Sequence, residues 1–248
     1  MSDDLIPALI TGASSGLGAH FGRVLAANGF HVILAARRKA KVTALADALN
    51  AEGKSAEAIE LDVANAASVT AAFAAMSRAP DVVINNAGIA GEGTALEMPE
   101  EVFTQVLDTN LKGVFLVSQA AARAMKKRGS GGAIVNIASI LGLRVAGGVS
   151  AYSASKAALV QLTRAQALEW ARYGIRVNAL CPGYIETPLN RAFFETDPGK
   201  ALVRRIPQRR LGQLADLDAP LLMLLSPGAA YLTGCALPVD GGHLVSSL

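Results

Sequence analysis

The chain has 248 residues and a formal net charge of only +3, and it carries no long run of lysine and arginine, so nucleic acid is not an expected partner. Hydrophobic residues make up 52% of the sequence, yet no stretch of about 18 uncharged apolar residues occurs, which argues against a membrane span. The two cysteines lack metal-ligand spacing and the acidic N-terminus lacks a signal peptide, so we expect a cytoplasmic protein with no disulfide framework and no metal site.

Short apolar segments alternate with longer alanine-rich segments along the whole chain. The predicted strands cover 8–11, 31–35, 55–61, 82–85, 133–137, 176–181 and 236–238, and the predicted helices cover 17–28, 39–52, 66–78, 99–126, 151–173 and 213–225. This alternation predicts one α/β domain over 1–248, with a parallel sheet and helices on both faces. Pro7 is expected at the first residue of its strand, because inside a central strand it would remove a ladder hydrogen bond.

A glycine-rich segment, TGASSGLG, follows the first predicted strand at 11–18 and opens the first predicted helix. Its glycines permit a tight turn and a close approach of backbone N–H groups to phosphate, and the helix N-terminus adds partial positive charge. The segment therefore predicts a dinucleotide phosphate site. Its predicted residues are Gly12, Ser14, Ser15, Gly16, Leu17 and Gly18.

The same segment also reads Gly-x-Ser-x-Gly over 12–16, which is the nucleophile elbow of serine hydrolases. A hydrolase elbow normally follows several strands, whereas only about ten residues precede this one. The candidate triad partners Asp240 and His243 also lie close together in sequence rather than on separate loops. A serine hydrolase is therefore the unfavoured alternative.

The second predicted strand ends in Ala36, followed by Arg37 and Arg38. NAD-selective sheets place a carboxylate near this point to bind the ribose 2′-hydroxyl, and Ala36 cannot do so. A guanidinium can instead bind the 2′-phosphate of NADP(H), which predicts NADP(H) as the cofactor and Arg37 and Arg38 as its ligands. The alternative is a solvated arginine pair at a helix start.

Further motifs follow the glycine loop through nearly the whole chain: Asp62-Val63, Asn85-Asn86-Ala87-Gly88, Asn110, Ser139, Tyr152-x-x-x-Lys156, Pro182-Gly183 with Thr187, and Val239-Asp240-Gly241-Gly242. In the order and spacing of these motifs the chain resembles the short-chain dehydrogenase/reductase family. The resemblance implies a Rossmann-type, doubly wound parallel sheet of seven strands in the order 3-2-1-4-5-6-7 and a homotetramer or homodimer. It also implies cofactor contacts from Asp62, Val63, Asn86, Ala87, Gly88, Tyr152, Lys156, Pro182, Gly183, Ile185 and Thr187.

The same resemblance implies that Asn110, Ser139, Tyr152 and Lys156 carry catalysis. Tyr152 and Lys156 are four residues apart and so share one helix face. The Lys156 ammonium and the positive nicotinamide are expected to lower the pKa of Tyr152, which would donate a proton to a carbonyl or accept one from an alcohol. Ser139 would bind the same oxygen, and Asn110 would hold a water that links Lys156 to solvent.

Substrate is expected to contact Ile140, Leu141 and Tyr184, together with a lid over about 187–208 that reads as two short helices. These mostly apolar residues indicate a ketoreductase for a medium-sized hydrophobic carbonyl compound. One alternative is a 3-oxoacyl-(carrier protein) reductase. A second alternative, of another class, is a dinucleotide sensor that binds the cofactor without turnover.

Overall fold

The computed structural model describes residues 5–187 and 190–246, and these residues contain one seven-stranded parallel sheet in the order 3-2-1-4-5-6-7, as predicted. The strands are β1 (Ile6–Thr11), β2 (Phe30–Ala36), β3 (Ser55–Glu60), β4 (Val82–Asn85), β5 (Gly132–Ile137), β6 (Ile175–Pro182) and β7 (Ala236–Val239). The helices are α1 (Gly16–Ala27), α2 (Lys39–Ala51), α3 (Ala66–Ala75), α4 (Glu100–Leu107), α5 (Gly113–Arg128), α6 (Ser150–Trp170), α7 (Arg191–Glu195), α8 (Asp197–Val203) and α9 (Asp218–Leu225).

Two apolar layers enclose the sheet because successive side chains of a strand point to opposite faces. In β1, Ala8 and Ile10 pack with residues of α1, α2 and α9, whereas Leu9 between them packs with residues of α3, α5 and α6. Strands that are buried on both faces have to read as continuous apolar runs, and the sequence shows this pattern. The sheet and its two helical layers are thus the Rossmann-type arrangement that was expected.

Pro7 is the second residue of β1, not the first as predicted, and it pairs in register with His31. Its carbonyl accepts a hydrogen bond from Asp81 N at 2.9 Å, so its nitrogen faces the same side of the strand. On that side β4 begins its pairing only at Ala8, opposite Val82. The missing N–H therefore removes no ladder hydrogen bond, which is why a proline is tolerated there.

The helix predicted over 99–126 is interrupted in its middle. A π-helical turn over Asp108–Lys112 separates α4 from α5. Such single π-turns inside α-helices recur at functional sites, and this one contains Asn110. The helices predicted at 151–173 and 213–225 likewise include a short 3₁₀ turn, Ala171–Tyr173 after α6 and Leu214–Leu217 before α9.

The segment predicted as a lid forms the two short helices α7 and α8, while its residues 188 and 189 lie outside the described residues. Thr196 caps α8, because its hydroxyl accepts a hydrogen bond from Gly199 N at 3.3 Å. Residues 1–4 and 247–248 also lie outside the described residues. Over the part of the chain that the structure describes, none of the helices combines the length and the apolar character that a membrane crossing requires.

Candidate active site

A cleft of about 400 Å³ opens at the carboxyl ends of β4, β5 and β6. This is the edge of an open α/β sheet where ligands bind, since the strand order reverses there. The cleft is lined by Leu17, Asn86, Gly88, Ile89, Ala90, Ile137, Ala138, Ser139, Tyr152, Lys156, Pro182, Gly183, Tyr184, Ile185, Thr187 and Asn190. It therefore brings together residues from most of the motifs that were singled out in the sequence.

The glycine loop between β1 and α1 is packed so closely that side chains would not fit in it. A Cβ on Gly18 would lie 2.4 Å from Gly12 O, and one on Gly12, whose φ is +67°, would lie 2.8 Å from Ala87 Cα. At Gly16 φ is +54° and a Cβ would meet nothing within 4 Å, so the backbone is open on that side. A turn with this packing leaves room for a phosphate group against the N-terminus of α1.

Thr11 joins this loop to the segment after β4, a role that the sequence analysis missed. Its hydroxyl accepts hydrogen bonds from Asn86 N at 3.0 Å and Ala87 N at 3.1 Å. The Asn86 side chain returns a bond from Nδ2 to Thr11 O at 3.0 Å. The two loops that were predicted to bind cofactor are thus fixed to each other, and the position of a threonine at the end of a strand gave the only signal in the sequence.

The two arginines after β2 occupy different positions. Arg38 Nη2 donates to the hydroxyls of Ser14 at 2.7 Å and Ser15 at 3.1 Å, which places its charge at the glycine loop. Arg37 instead lines a separate pocket of about 510 Å³ next to Asp62. Asp62 is held by a bond from Ala64 N to its Oδ1 at 3.1 Å, and Val63 packs against Gly113, where a Cβ would lie 2.8 Å from Val63 Cγ2.

Ser139, Tyr152 and Lys156 converge on one wall of the cleft. The Ser139 side chain lies close enough to the Tyr152 phenol to lower its pKa, and its Oγ accepts from Leu141 N at 3.1 Å. Lys156 is 4% exposed; its Nζ donates to Ile137 O at 2.7 Å and lies 5.5 Å from the centre of the Tyr152 ring. A phenol, a neighbouring hydroxyl and an amine thus meet where a substrate can enter.

Asn110 lies behind this wall and is fully buried. Its Oδ1 accepts from Ile89 N at 2.9 Å, and its Nδ2 donates to Ile89 O at 2.9 Å and to Ser155 Oγ at 3.0 Å. Gly88 separates it from the cleft, since a Cβ there would lie 3.3 Å from Asn110 Oδ1 and 3.6 Å from Lys156 Nζ. The four predicted catalytic residues therefore occupy one continuous cluster.

Burial dominates the ionisation of this cluster. It lowers the pKa of Lys156 to about 8, because a buried ammonium loses its hydration. Burial also raises the pKa of Tyr152, and the hydrogen bond with Ser139 offsets this rise only in part. The Lys156 charge therefore does not lower the pKa of Tyr152 as expected, whereas the effect of the positive nicotinamide stays a prediction.

The three predicted substrate contacts differ in position. Tyr184 lines the cleft, and its ring lies 5.8 Å from that of Phe194 in α7. Ile140 is only 1% exposed and belongs to the core, because the 3₁₀ turn Ile140–Gly142 points it inward; this geometry does not support its predicted role. Leu141 is half-buried, and its N–H bonds back to Ser139.

The end of β6 and the segment after it place four predicted cofactor contacts along the cleft: Pro182, Gly183, Ile185 and Thr187. A Cβ on Gly183 would lie 2.7 Å from Asp240 Cα, so this glycine permits close packing against the C-terminal motif. Asn190, which was not predicted, fixes the segment, since its Oδ1 accepts from Thr187 N at 2.9 Å and its Nδ2 donates to Ile185 O at 2.9 Å.

The residues that a serine hydrolase would need have other partners. The Ser14 hydroxyl accepts from Arg38, and the Asp240 carboxylate accepts from Gly242 N at 2.9 Å and Leu244 N at 2.6 Å. The hydrogen-bonded Ser–His–Asp chain of such enzymes is thus not formed by these described residues. Over the described ranges, histidine, cysteine and acidic side chains also form no group of three that could hold a metal ion.

Comparisons with known proteins agree with this geometry. A family model described as enoyl-(acyl carrier protein) reductase matches residues 12–243. The chain is 42% identical over 243 residues to galactitol 2-dehydrogenase (L-tagatose-forming) of Cereibacter sphaeroides, covering 96% of this chain and 94% of that protein. It is 37% identical over 235 residues to a 3-oxoacyl-(acyl-carrier-protein) reductase of Escherichia coli, covering 95% and 96%.

A solved structure is equally similar along its length. The gluconate 5-dehydrogenase from Burkholderia cenocepacia, in complex with NADP and tartrate, superposes with a TM-score of 0.93 at 36% identity, covering 98% of this chain and 96% of that chain. That structure therefore shares the fold of this chain over nearly its whole length.

Proposed function

The chain belongs to the short-chain dehydrogenase/reductase family, and on that premise we propose that it transfers a hydride between NADP(H) and a carbonyl compound or its secondary alcohol, with Tyr152 as acid and base. Hydride-transfer oxidoreductase chemistry with an NAD(P)(H) cofactor is the shared property of its relatives. The choice of NADP(H), the substrate class and the residue roles are our proposal. The observation that carries it is the placement of Ser139, Tyr152 and buried Lys156 together in the cleft, with the Lys156 Nζ 5.5 Å from the centre of the Tyr152 ring.

The residues present fit a dinucleotide cofactor. The turn at Gly12 and Gly18 leaves no room for a Cβ, and the backbone at Gly16 is open toward the N-terminus of α1, as a pyrophosphate site needs. The loop residues Ser14, Ser15 and Leu17, the Asn86-to-Gly88 segment and Pro182 to Thr187 would hold the rest of the molecule. When bound, the cofactor supplies or accepts the hydride.

Tyr152 would donate its proton to the carbonyl oxygen during reduction and would accept the alcohol proton during oxidation. The raised pKa of Tyr152 in the cofactor-free chain keeps the phenol protonated, which is the form that reduction requires. Ser139 would bind the same oxygen and fix its distance from the phenol. Lys156, with its pKa near 8, would exchange protons close to physiological pH.

The preference for NADP(H) is supported by charge. Ala36 ends β2 where a carboxylate would repel a 2′-phosphate, and Arg37 and Arg38 follow it. Arg38 already binds the hydroxyls of Ser14 and Ser15, so its guanidinium lies at the phosphate loop. The similar gluconate 5-dehydrogenase structure also holds NADP.

For the substrate we propose a medium-sized ketone whose carbon skeleton contacts apolar groups. Outside the residues assigned to the cofactor, the apolar residues that line the cleft include Ile89, Ala90 and Ile137. The names of the relatives supply three competing classes, which are polyols such as galactitol, sugar acids such as gluconate, and 3-oxoacyl groups on a carrier protein.

We further propose a homotetramer, in which apolar residues of α5 and α6 meet those of neighbouring subunits. Phe115 on α5 is 40% exposed and Leu168 on α6 is 82% exposed. Exposed apolar side chains of this size on neighbouring helices are typical of covered surfaces. Light scattering should give four times the mass of one chain, and a monomer at micromolar concentration would contradict this proposal.

The experiment that tests the proposed function measures oxidation of NADPH and of NADH against a panel of ketones, ketoses, keto acids and 3-oxoacyl thioesters. We expect turnover that is faster with NADPH and concentrated in one chemical class. Tight NADPH binding without turnover of any class would favour the dinucleotide sensor. Equal use of both coenzymes would contradict the proposed role of the arginines.

A further inference from the structure

Ser155 lies between the two residues of the Tyr152-x-x-x-Lys156 motif and is fully buried. Its Oγ donates to Tyr152 O at 2.7 Å and accepts from Asn110 Nδ2 at 3.0 Å. One hydroxyl is therefore bonded both to the backbone of the proposed proton donor and to the side chain in the π-turn. No role in the proposed reaction has been given to it so far.

The bonds of Asn110 show what Ser155 contributes. The Asn110 amide has two donors and one acceptor oxygen, and the Ile89 backbone takes the oxygen and one donor. Ser155 takes the second donor. Without the Ser155 hydroxyl, an N–H would be left unpaired at a site that is closed to water, and a buried donor without a partner is costly.

These contacts form a chain that runs from the loop after β4 to the first turn of α6. Its members in order are Ile89, Asn110, Ser155 and the Tyr152 carbonyl. Ile89 lines the cleft on one side, and Tyr152 lines it on another. The long helix departs from α-helical geometry in the π-turn over Asp108–Lys112. Asn110 lies in this turn, and its side chain links Ile89 to Ser155.

We propose that Ser155 is a positioning residue, which fixes Asn110 relative to Tyr152 and thereby holds the catalytic cluster in its reactive geometry. It acts through Asn110 and touches neither substrate nor cofactor, since it is fully buried. This inference rests on the proposed function. It predicts that loss of the hydroxyl slows the chemical step while leaving cofactor binding unchanged.

The same helix supplies a matched control. Ser153 is also a buried serine, 8% exposed, but its Oγ has no hydrogen-bond partner. Ser153→Ala removes the same atom from the same helix without breaking a bond. Any general effect of a shortened side chain on α6 will therefore appear in both variants, whereas a positioning effect will appear only in Ser155→Ala.

The test is a double-mutant cycle on kcat, with NADPH affinity measured separately by fluorescence titration. Wild-type turnover is measured first, so that failure of the proposed function is recognised on its own. We expect Ser155→Ala to lower kcat about tenfold through displacement of Asn110 and Tyr152, which corresponds to about 1.4 kcal/mol in the activation barrier, with NADPH affinity changed less than about twofold. Ser153→Ala should stay near wild type.

The decisive comparison adds Asn110→Ala. If Ser155 acts through Asn110, Ser155→Ala causes no further loss in that background, because the amide it positions is already absent. For variants that are too slow for a multiple-turnover assay, the rate of a single turnover is measured with enzyme in excess over substrate. Wild-type kcat in Ser155→Ala, or the same fold loss with and without Asn110, would overturn the proposal. Should Ser155→Ala not fold, Ser155→Cys, which retains the size and only a weak donor, enters the same cycle.

Discussion

Lys156 is a buried amine, and its replacement by methionine should change how the stability of the protein depends on pH. Its Nζ donates to Ile137 O, and burial lowers its pKa from 10.5 to about 8. Methionine has a similar length and carries no charge. The variant therefore removes the titration while leaving most of the packing in place.

The direction follows from proton binding. Between about pH 8 and 10.5 the unfolded chain binds a proton at Lys156 that the folded chain does not, so the free energy of unfolding rises with pH. Burying the Lys156 ammonium lowers the free energy of unfolding by its full amount below about pH 8, and this destabilisation disappears as the pH rises from about 8 to 10.5. The full amount corresponds to about 3 kcal/mol, and the free energy of unfolding should regain about 2 kcal/mol of it between about pH 7 and pH 9.5.

The assay is denaturant unfolding of cofactor-free protein at both pH values, comparing wild type with Lys156→Met. Wild type should gain about 2 kcal/mol relative to the variant on going to the higher pH. Lys127→Met removes an exposed lysine and should follow wild type at both pH values. A constant difference between wild type and Lys156→Met would refute the conclusion that burial controls this amine.

Two further predictions concern the proposed cofactor site. Gly18→Ala should destabilise the fold by a few kcal/mol and abolish NADPH binding, because its Cβ would lie 2.4 Å from Gly12 O. Gly16→Ala meets no atom of the chain and should cost only about 1 kcal/mol of backbone strain, although its Cβ would enter the space proposed for the pyrophosphate. Thermal unfolding compares the two variants, and an equal loss of stability would count against the packing argument; fluorescence titration measures the loss of NADPH binding in Gly18→Ala. Arg37→Asp should weaken NADPH binding about tenfold or more, and it should narrow or reverse the preference for NADPH over NADH. An unchanged ratio of the NADPH and NADH affinities would exclude a role for Arg37 in coenzyme choice.

Much of the fold could be predicted because strands buried on both faces and alanine-rich helices leave clear patterns. The strand order followed from the family resemblance, and the structure confirms it. The family resemblance implied that Ser139, Tyr152 and Lys156 act together, and the spacing of Tyr152 and Lys156 placed those two on one helix face. The structure brings Ser139, which follows β5, to the same cleft.

The features that could not be predicted depend on contacts distant in sequence. The π-turn around Asn110 is stabilised by the Ile89 backbone and Ser155, which no local propensity reveals. The spacing to Lys156 suggested that the lysine charge would lower the pKa of Tyr152. Burial of the phenol raises this pKa instead. The contact of Arg38 with Ser14 likewise depends on how β2 and the glycine loop meet.

The central claim is that Tyr152 is the proton donor of an NADPH-linked carbonyl reductase. The most direct measurement compares wild type and Tyr152→Phe for NADPH oxidation with the best substrate of the panel, with NADPH binding followed in parallel by fluorescence. Phenylalanine keeps the ring and removes only the hydroxyl that is proposed to donate the proton. We predict a loss of at least about 10³-fold in kcat with unchanged NADPH affinity. Turnover within about tenfold of wild type in Tyr152→Phe would contradict the account.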